Sequence, residues 1–338
     1  MRILHVILST DFAGSEAHCC WLAAEQARAG HDVAVLVRNG TPGYVARFQR
    51  EAAPAAVRLL PRRVPAALES LGCWWAARSF GPDVIHAHLG RAAQRALRPG
   101  AHVPLVATLH IDWRRHYQHC DGVICIAGWQ REAIPQAFKG RVEVIWNSVS
   151  PGPGPQLATR RGDGVDVLSV GRLVPNKGMD VLIRAFRAAF PEPAAPVTLT
   201  IAGDGPERTR LQALAAGDPR IRLLGYVDDV VRLYPGAHVY VSAARIEPFG
   251  LTILEAMQAQ CQVICTRTAG PLEFLAQQPP HWVAIDDVEA LAEALRAHAR
   301  LPVAPRAWDM APFAPHVAAE KVVAFYEACI ADRKARRR

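Results

Sequence analysis

Short apolar runs that alternate with helix-like stretches constrain the fold of this sequence more than any other feature. Examples are ILHVIL (3–8), DVAVLV (32–37) and DVIHAH (83–88). These runs are nearly continuously apolar, which is typical of strands in a parallel sheet that is covered on both faces. The stretch between the first two has helical periodicity and ends at Gly30, a residue suited to a helix C-terminus. The sequence therefore predicts an α/β fold with doubly wound parallel sheets.

A segment rich in proline and glycine separates two such series. The segment PGPGPQLATRRGDG (151–164) lacks periodicity, and the strand-like rhythm restarts with VDVLSV (165–170). A chain of 338 residues is long enough for two domains. We expect an N-terminal Rossmann-like domain over 1–150, a linker over 151–164, a C-terminal Rossmann-like domain over 165–312, and a helix with a basic tail over 313–338 that packs back on the first domain.

The charge balance indicates an anionic partner. The formal net charge is +8, and aromatic residues are not interleaved with the basic ones, which argues against nucleic acid. We therefore expect a nucleotide ligand. Several arginines, together with the pair Trp74–Trp75, could line a surface for an anionic membrane or a phosphorylated glycolipid; a solvated basic face is the equal alternative. These arginines are Arg58, Arg62, Arg63, Arg91, Arg95, Arg98, Arg114 and Arg115.

The cysteines and the lengths of the apolar runs indicate the cellular compartment of the protein. The eight cysteines show no paired pattern, and Cys261 with Cys265 lacks the second pair of a zinc site. Buried thiols in a reducing cytoplasm explain them. The N-terminal MRILHVILSTDF is too short for a signal peptide, and no run approaches the roughly 20 residues of a membrane span. We expect a cytoplasmic protein, peripheral on the inner face of the cytoplasmic membrane.

The loop GRLVPNKG (171–178) follows the first strand of the second half and precedes a helix-like stretch. The guanidinium of Arg172 can bind two phosphate oxygens at once, and the ammonium of Lys177 supplies a point charge. The loop therefore suits a diphosphate. Two solvated loop cations are the alternative. The next strand ends in AGDGP (202–206), a turn that lacks the third glycine of the dinucleotide fingerprint.

The stretch RIEPFGLTILEAM (245–257) places two carboxylates around a helix start. Free backbone N–H groups at such a start favour a negative ligand. The residues that would present them are Phe249, Gly250 and Leu251. Glu247 and Glu255 can accept hydrogen bonds from the paired hydroxyls of a sugar or a ribose. Capping and surface charge would explain either glutamate alone, but together with GRLVPNKG they indicate one pocket for an activated sugar.

These motifs resemble those of the retaining GT-B glycosyltransferases of family 4, over nearly the whole chain. The matching pieces are GRLVPNKG, AGDGP, the Glu-x7-Glu unit Glu247–Glu255, AGPLE (269–273), AGSE (13–16), DVIHAH and PLVATLH (104–110). One departure is Gln260, which stands where the family usually has glycine. The resemblance implies two Rossmann-like domains that face a central cleft.

The resemblance also implies roles for individual residues. Arg172 and Lys177 would bind the donor diphosphate, Glu247 the transferred sugar and Glu255 the ribose. His110, which ends PLVATLH, would lie near the transferred sugar. The residues implied in catalysis are His110, Arg172, Lys177 and Glu247. Those implied in donor binding are Gly14, Arg172, Lys177, Tyr226, Val227, Glu247, Phe249, Gly250, Leu251 and Glu255, with Tyr226 and Val227 near the base and Gly14 near the phosphate.

The expected reaction moves a sugar from a nucleoside diphosphate sugar to an acceptor hydroxyl with retention at the anomeric carbon. A UDP-sugar is the default donor, and a bacterial glycolipid or polysaccharide intermediate such as lipopolysaccharide core is the preferred acceptor. No Asp-x-Asp triplet is present, so we expect no metal and no cofactor. A non-catalytic nucleotide-sugar-binding subunit and a GT-B-fold epimerase or phosphorylase remain as alternatives.

Overall fold

The structure, a computed structural model, describes six stretches of the chain. They are residues 1–60, 68–96, 98–100, 102–149, 164–300 and 305–336. The chain divides into two compact units, Met1–Ser150 with Pro312–Arg338, and Pro151–Ala311. Most of the predicted linker, the arginines at positions 62 and 63, and the last two residues of the basic tail lie outside the described residues.

In its described part, the first unit contains seven strands and six α-helices. The strands are β1 (Arg2–Ile7), β2 (Asp32–Val37), β3 (Ala56–Leu59), β4 (Val84–His88), β5 (Leu105–Leu109), β6 (Gly122–Cys125) and β7 (Arg141–Val144). The helices are α1 (Gly14–Arg28), α2 (Pro42–Glu51), α3 (Glu69–Phe80), α4 (Leu89–Arg95), α5 (Gly128–Glu132) and, from the C-terminal segment, α11 (Pro315–Ala335).

Among its described residues, the second unit repeats the pattern with six strands. They are β8 (Val165–Val170), β9 (Val197–Ala202), β10 (Ile221–Gly225), β11 (Val239–Ser242), β12 (Gln262–Thr266) and β13 (His281–Val283). Its α-helices among the described residues are α6 (Met179–Ala189), α7 (Arg208–Ala215), α8 (Leu251–Gln258), α9 (Ala269–Phe274) and α10 (Val288–Arg300).

Both sheets are parallel and doubly wound, as the sequence predicts. The strand order is β3-β2-β1-β4-β5-β6-β7 in the first unit and β10-β9-β8-β11-β12-β13 in the second. All strand pairs are parallel. The order in which successive strands are added to the sheet therefore reverses between β1 and β4, and between β8 and β11. Ligands of such sheets bind at the carboxyl ends of strands beside these switch points.

Apolar strands sandwiched between helices form the core of each unit. The central strands β4 and β5 are buried along their whole length, which explains why their sequences are not alternating. Helix α11 completes the core of the first unit with Phe325 and Tyr326, which pack among residues of β1 and α1. All eight cysteines are buried as free thiols. The sequence analysis did not identify β3, whose exposed and half-buried edge residues leave no apolar run.

Candidate active site

The switch point of the second unit brings a lysine and a glutamate into direct contact. Lys177 lies in the loop after β8 and Glu247 in the loop after β11, the strand that neighbours β8. Lys177 Nζ donates to Glu247 Oε2 at 2.5 Å. The side chains are 24% and 9% exposed, so the pair sits at the surface of the unit without being fully solvated. The two predicted site residues from different strands therefore lie together.

Close backbone packing holds the Lys177 loop against the end of β11. Gly178 has φ +63°, and a Cβ at this position would lie 1.9 Å from the carbonyl oxygen of Ala243. Glycine is therefore required by both the conformation and the space. The backbone N–H of Arg245 donates to the carbonyl oxygen of Asn176 at 2.8 Å, which ties the two loops together beside the ion pair.

The Arg245 side chain braces the same two loops, and the sequence analysis did not identify it. Its guanidinium donates to both carboxylate oxygens of Asp180 at 3.0 and 3.1 Å and to the carbonyl oxygen of Pro175 at 2.6 Å. A third contact reaches Asp286 at 2.6 Å. Burial alone would raise the pKa of Asp180, but the bonds from Arg245 outweigh it and lower that pKa. The one sequence signal was a cation two residues before Glu247.

Helix α8 begins directly after the Pro-Phe-Gly turn, with Gly250 as its N-cap. Gly250 has φ +115°, a region that side-chain-bearing residues avoid. Phe249 is buried against Phe274 with ring centroids 4.8 Å apart, which fixes the turn. The N–H of Gly270, in the AGPLE motif, donates to the carbonyl oxygen of Glu247 at 3.3 Å. The motif thus supports the loop that carries Glu247.

Glu255 lies on α8 and has a protein partner already. The Tyr234 hydroxyl donates to Glu255 Oε2 at 2.5 Å, and Tyr234 is fully buried. Burial raises the pKa of Glu255 to about 7, although the tyrosine hydrogen bond acts in the opposite direction. This raised pKa lies close to neutral pH, a property that no sequence pattern indicated.

The remaining residues predicted to bind the donor in this unit make fewer contacts with the protein. Arg172 is exposed, and its side chain makes no hydrogen bond or ion pair with any residue that the structure describes. Tyr226 is 59% exposed and, with Val227, follows the edge strand β10. Since β10 lies two strands from β8, at a spacing of about 4.8 Å per strand, these residues are not next to the Lys177–Glu247 pair.

In the first unit, Gly14 is exposed at the start of α1. The Glu16 side chain is buried there and accepts hydrogen bonds from the Ala13 N–H and the Ser15 hydroxyl, each at 2.9 Å. A carboxylate at this end of a helix is favourable because the backbone N–H groups are unpaired. Glu16 therefore already caps the helix start for which the resemblance implied a phosphate.

His110 belongs to a cluster of buried histidines that the sequence analysis did not predict. It follows β5 and is 9% exposed, while the rings on the central strands are fully buried. The register of β1 and β4 pairs His5 with His86 and Ile7 with His88, which brings the strand histidines together. His18 on α1 lies against His110 with ring centroids 5.4 Å apart, and its Nδ1 has no partner among the described residues.

The cluster is uncharged because it is buried. Burial lowers the pKa of His5 and of His18 to about 4 and holds the pKa values of His86, His88 and His110 well below the usual 6.5. Among the described residues, one group has the spacing to hold a metal ion: ligand atoms of His5, His86 and His88 lie within 4.8 Å of one another.

The predicted basic face of the first unit is largely paired. Arg91 and Arg95 both contact the carboxylate of Glu69, which is 1% exposed, at 3.0 and 3.9 Å. Arg98 contacts Asp121 at 3.0 Å. These three charges are thus partly neutralised within the fold. None of the helices in the described stretches combines the length and apolar character that crossing a bilayer requires.

Comparisons with known proteins agree with this fold. Residues 164–300 match the family described as "Glycosyl transferases group 1", and residues 12–152 match "Glycosyltransferase Family 4". The chain is similar over 97% of its length to a glycosyltransferase structure from Rickettsia africae (98% of that chain, TM-score 0.76, 16% identity). It is also similar over 99% of both chains to Anabaena HepE in complex with UDP and glucose (TM-score 0.70, 20% identity).

Among curated proteins, one relative is the lipopolysaccharide core biosynthesis glycosyltransferase LpsE of Rhizobium meliloti, 30% identical over 65% of this chain and 66% of LpsE. Another is the mannosylfructose-phosphate synthase of Agrobacterium fabrum, 30% identical over 46% of this chain and 39% of that protein. The chain thus matches less than two thirds of the length of either relative.

The two family matches together span both units, and the fold is that of the GT-B glycosyltransferases. The chain therefore belongs to the group 1, or family 4, type of GT-B glycosyltransferases.

Proposed function

We propose that this protein is a retaining glycosyltransferase that moves a sugar from a nucleoside diphosphate sugar to an acceptor hydroxyl without a metal ion. The observation that carries the proposal is the contact of Lys177 with Glu247 at the switch point of the second sheet, in a loop that leads into helix α8. A cation, a carboxylate and free helix N–H groups at one edge suit a ligand that has both phosphates and hydroxyls.

The donor would replace a contact that the protein makes with itself. In the described structure Lys177 is paired with Glu247. A bound diphosphate offers Lys177 more negative charge than one carboxylate does, and sugar hydroxyls can then donate to Glu247. Exposed Arg172 would add a second cation to the phosphates. Charge that builds on the leaving diphosphate would be stabilised by these groups and by the N–H groups of Phe249, Gly250 and Leu251.

Retention would follow from attack on the same face that the diphosphate leaves. An oxocarbenium-like sugar would form, and a phosphate oxygen would assist removal of the acceptor proton. Glu247 accepts a hydrogen bond from Lys177, which makes it a poor nucleophile, so we assign it to sugar binding. Glu255 would hold the ribose, and Tyr226 with Val227 would lie near the base. In the first unit, His110 would contact the sugar and Gly14 the phosphate.

UDP is our proposed carrier, and a bacterial glycolipid such as a lipopolysaccharide core intermediate is our proposed acceptor. Support comes from the UDP in the HepE structure and from the activity that the name of LpsE states. We place the protein in the cytoplasm, peripheral on the inner membrane face. Helix α3 supports a lipid contact, since Leu71 and Trp75 project from it with 56% and 71% exposure.

The test is turnover of a panel of UDP-, GDP- and ADP-sugars by the purified full-length protein, with and without a bacterial glycolipid extract. We expect nucleoside diphosphate release from one donor, stimulated by extract, with the α-configuration of an α-donor kept in the product. Activity should persist in EDTA. Thermal stabilisation by a donor without any release would instead support a binding subunit, and sugar conversion without release would support an epimerase.

A further inference from the structure

Three hydrogen bonds join four buried side chains of the first unit into one line. Gln26 Oε1 contacts His5 Nε2 at 2.7 Å, and His5 Nδ1 contacts His88 Nε2 at 3.0 Å. His88 Nδ1 then contacts His110 Nε2 at 3.2 Å. Helix α1, strands β1 and β4 and the residue after β5 contribute one member each. We call this line the histidine relay.

Counting the protons on the rings shows which nitrogen donates and which accepts in each hydrogen bond of the relay. A neutral imidazole carries one proton, and the Gln26 carbonyl oxygen only accepts. His5 must therefore donate from Nε2, which leaves its Nδ1 as an acceptor. His88 must then donate from Nε2 to His5, and its Nδ1 accepts from His110. His5 and His88 therefore each donate one hydrogen bond and accept one, and His110 donates one to His88.

The burial of these rings supports the count. His5 and His88 are fully buried, and His110 is 9% exposed. Burial lowers the pKa of all three, that of His5 to about 4, so none carries a second proton at neutral pH. A charged ring anywhere in the line would turn both of its nitrogens into donors and break the sequence of donor and acceptor.

We propose that Gln26, His5 and His88 are positioning residues that hold His110 as its Nε2–H tautomer and leave Nδ1 as an acceptor. Nδ1 of His110 has no partner among the described residues. A neutral acceptor nitrogen binds a hydroxyl hydrogen and repels an anionic phosphate oxygen. The ligand group is therefore a hydroxyl of the sugar or of the acceptor. That last step rests on the proposed glycosyl transfer; the tautomer does not.

A metal ion is the competing explanation for a cluster of this kind, because His5, His86 and His88 have the required spacing. The hydrogen bonds leave no nitrogen for it. Both nitrogens of His86 are engaged, Nδ1 with the Tyr326 hydroxyl at 2.5 Å and Nε2 with the Thr108 hydroxyl at 2.7 Å. Both nitrogens of His5 and of His88 lie in the relay, so every candidate ligand atom already has a partner.

The first measurement is ¹⁵N NMR of the full-length protein with ¹⁵N-labelled histidine at pH 7.5, together with elemental analysis of the purified protein. Long-range ¹H–¹⁵N correlations distinguish a protonated ring nitrogen from an unprotonated one. We expect Nε2–H and bare Nδ1 at His5, His88 and His110. A proton on Nδ1 of His110, or one equivalent of bound transition metal, overturns the proposal. This measurement needs no activity, so it stands apart from the test of transfer.

The second measurement compares Gln26→Met with the matched control Thr108→Val. Both remove one buried hydrogen-bonding group at nearly constant volume, but only Gln26 belongs to the relay. We expect a mixture of tautomers at His110 in Gln26→Met, with the donor KM within about twofold. The kcat should fall about tenfold, less than the roughly 10²- to 10⁴-fold that a proton-transferring side chain contributes, because part of the protein keeps the correct tautomer. Thr108→Val should match wild type in both. An unchanged ¹⁵N spectrum of His110 in Gln26→Met would contradict the positioning role. Equal losses of kcat in the two variants would contradict it as well.

Discussion

The two units share one sheet topology but place opposite chemistry at their switch points. In the first unit, neutral imidazoles stand within the strands β1 and β4 and are fully buried. In the second unit, a charged pair, Lys177 and Glu247, stands on loops just after the strands and is 24% and 9% exposed. A side chain within a covered parallel strand has no water, whereas one on the following loop keeps some.

This difference in position determines how each unit responds to its surroundings. Buried imidazoles lose their charge because an ion in the interior is costly, so the first unit should respond to pH. The Lys177–Glu247 pair lies on loops at the sheet edge and can exchange partners with an incoming anion, so the second unit should respond to ligand. The four predictions below test that contrast, and they run from the largest expected effect to the smallest.

Lys177→Ala should lower kcat/KM for the donor by about 10²- to 10³-fold, because removing one preorganised donor from a developing anion typically costs this much. The fold should be retained, since Lys177 is 24% exposed and lies on a loop after the sheet. Steady-state release of nucleoside diphosphate and circular dichroism measure the two quantities. The control is Arg222→Ala, an exposed cation on β10 of the same unit. Equal activity of Lys177→Ala and this control would contradict the diphosphate assignment.

The histidine cluster should make the first unit less stable as pH falls below 6.5. The unfolded chain binds protons there, but folded His5 and His18, with pKa values of about 4, do not. Each such group therefore costs about 1.4 kcal/mol per pH unit between pH 6.5 and 4. The described second unit has one comparable group, His298, whose pKa is also lowered to about 4.

Hydrogen exchange measured by mass spectrometry at pH 7.5 and 5.5, corrected for intrinsic rates, separates the two units. His5 and His18 alone should cost peptides of β1, β4 and β5 about 2–3 kcal/mol of protection, and the lowered pKa values of His86, His88 and His110 should add to this loss. We expect peptides of β8 and β11 to lose less than half as much. Equal losses in the two units would show that the buried histidines do not control the acid response.

The sequence predicted what depends on local pattern. VDVLSV and DVAVLV match β8 and β2 residue for residue, because continuous apolar runs define buried strands. Lys177 and Glu247 were selected from two motifs 70 positions apart, and the parallel topology explains why loops after neighbouring strands meet. Their roles in catalysis stay predictions.

Contacts that depend on tertiary register could not be predicted in this way. A single hydrogen bond of the histidine relay joins positions 83 residues apart, and His86 contacts Tyr326 across 240 residues. Arg91, a member of the predicted lipid-facing surface, contacts the buried Glu69 while its own side chain stays 45% exposed, and the sequence does not reveal this contact. Gln260 has φ +62°, so the chain keeps the backbone geometry of the usual glycine without the glycine.

Donor binding should depend on pH through Glu255. As pH falls from 8 to 6, this carboxylate, with a pKa of about 7, takes up a proton and becomes a weaker acceptor for ribose hydroxyls. We expect the Kd of the nucleoside diphosphate to rise by up to about tenfold. Glu255→Gln should remove the dependence. Tyr234→Phe deletes the hydrogen bond that lowers this pKa and should shift the transition to higher pH. Calorimetric titrations at four pH values that are flat for wild type would exclude Glu255 as the ribose acceptor.

Arg245→Lys should give the smallest effect of the four changes. It tests whether the position of the Lys177 loop controls donor binding in the second unit. Lysine keeps the charge but cannot bond both oxygens of Asp180 and the Pro175 carbonyl at once, so the Lys177 loop should shift. We expect the donor KM to rise about threefold to fivefold, with kcat within about twofold, because misplacement weakens binding before it removes a catalytic charge. Arg210→Lys is the matched control, since Arg210 contacts Asp180 at 3.6 Å but has no observed bond to the Lys177 loop within the described residues. If both variants raise the donor KM equally, then donor binding depends on neutralising the charge of Asp180 and not on the contact between Arg245 and the loop.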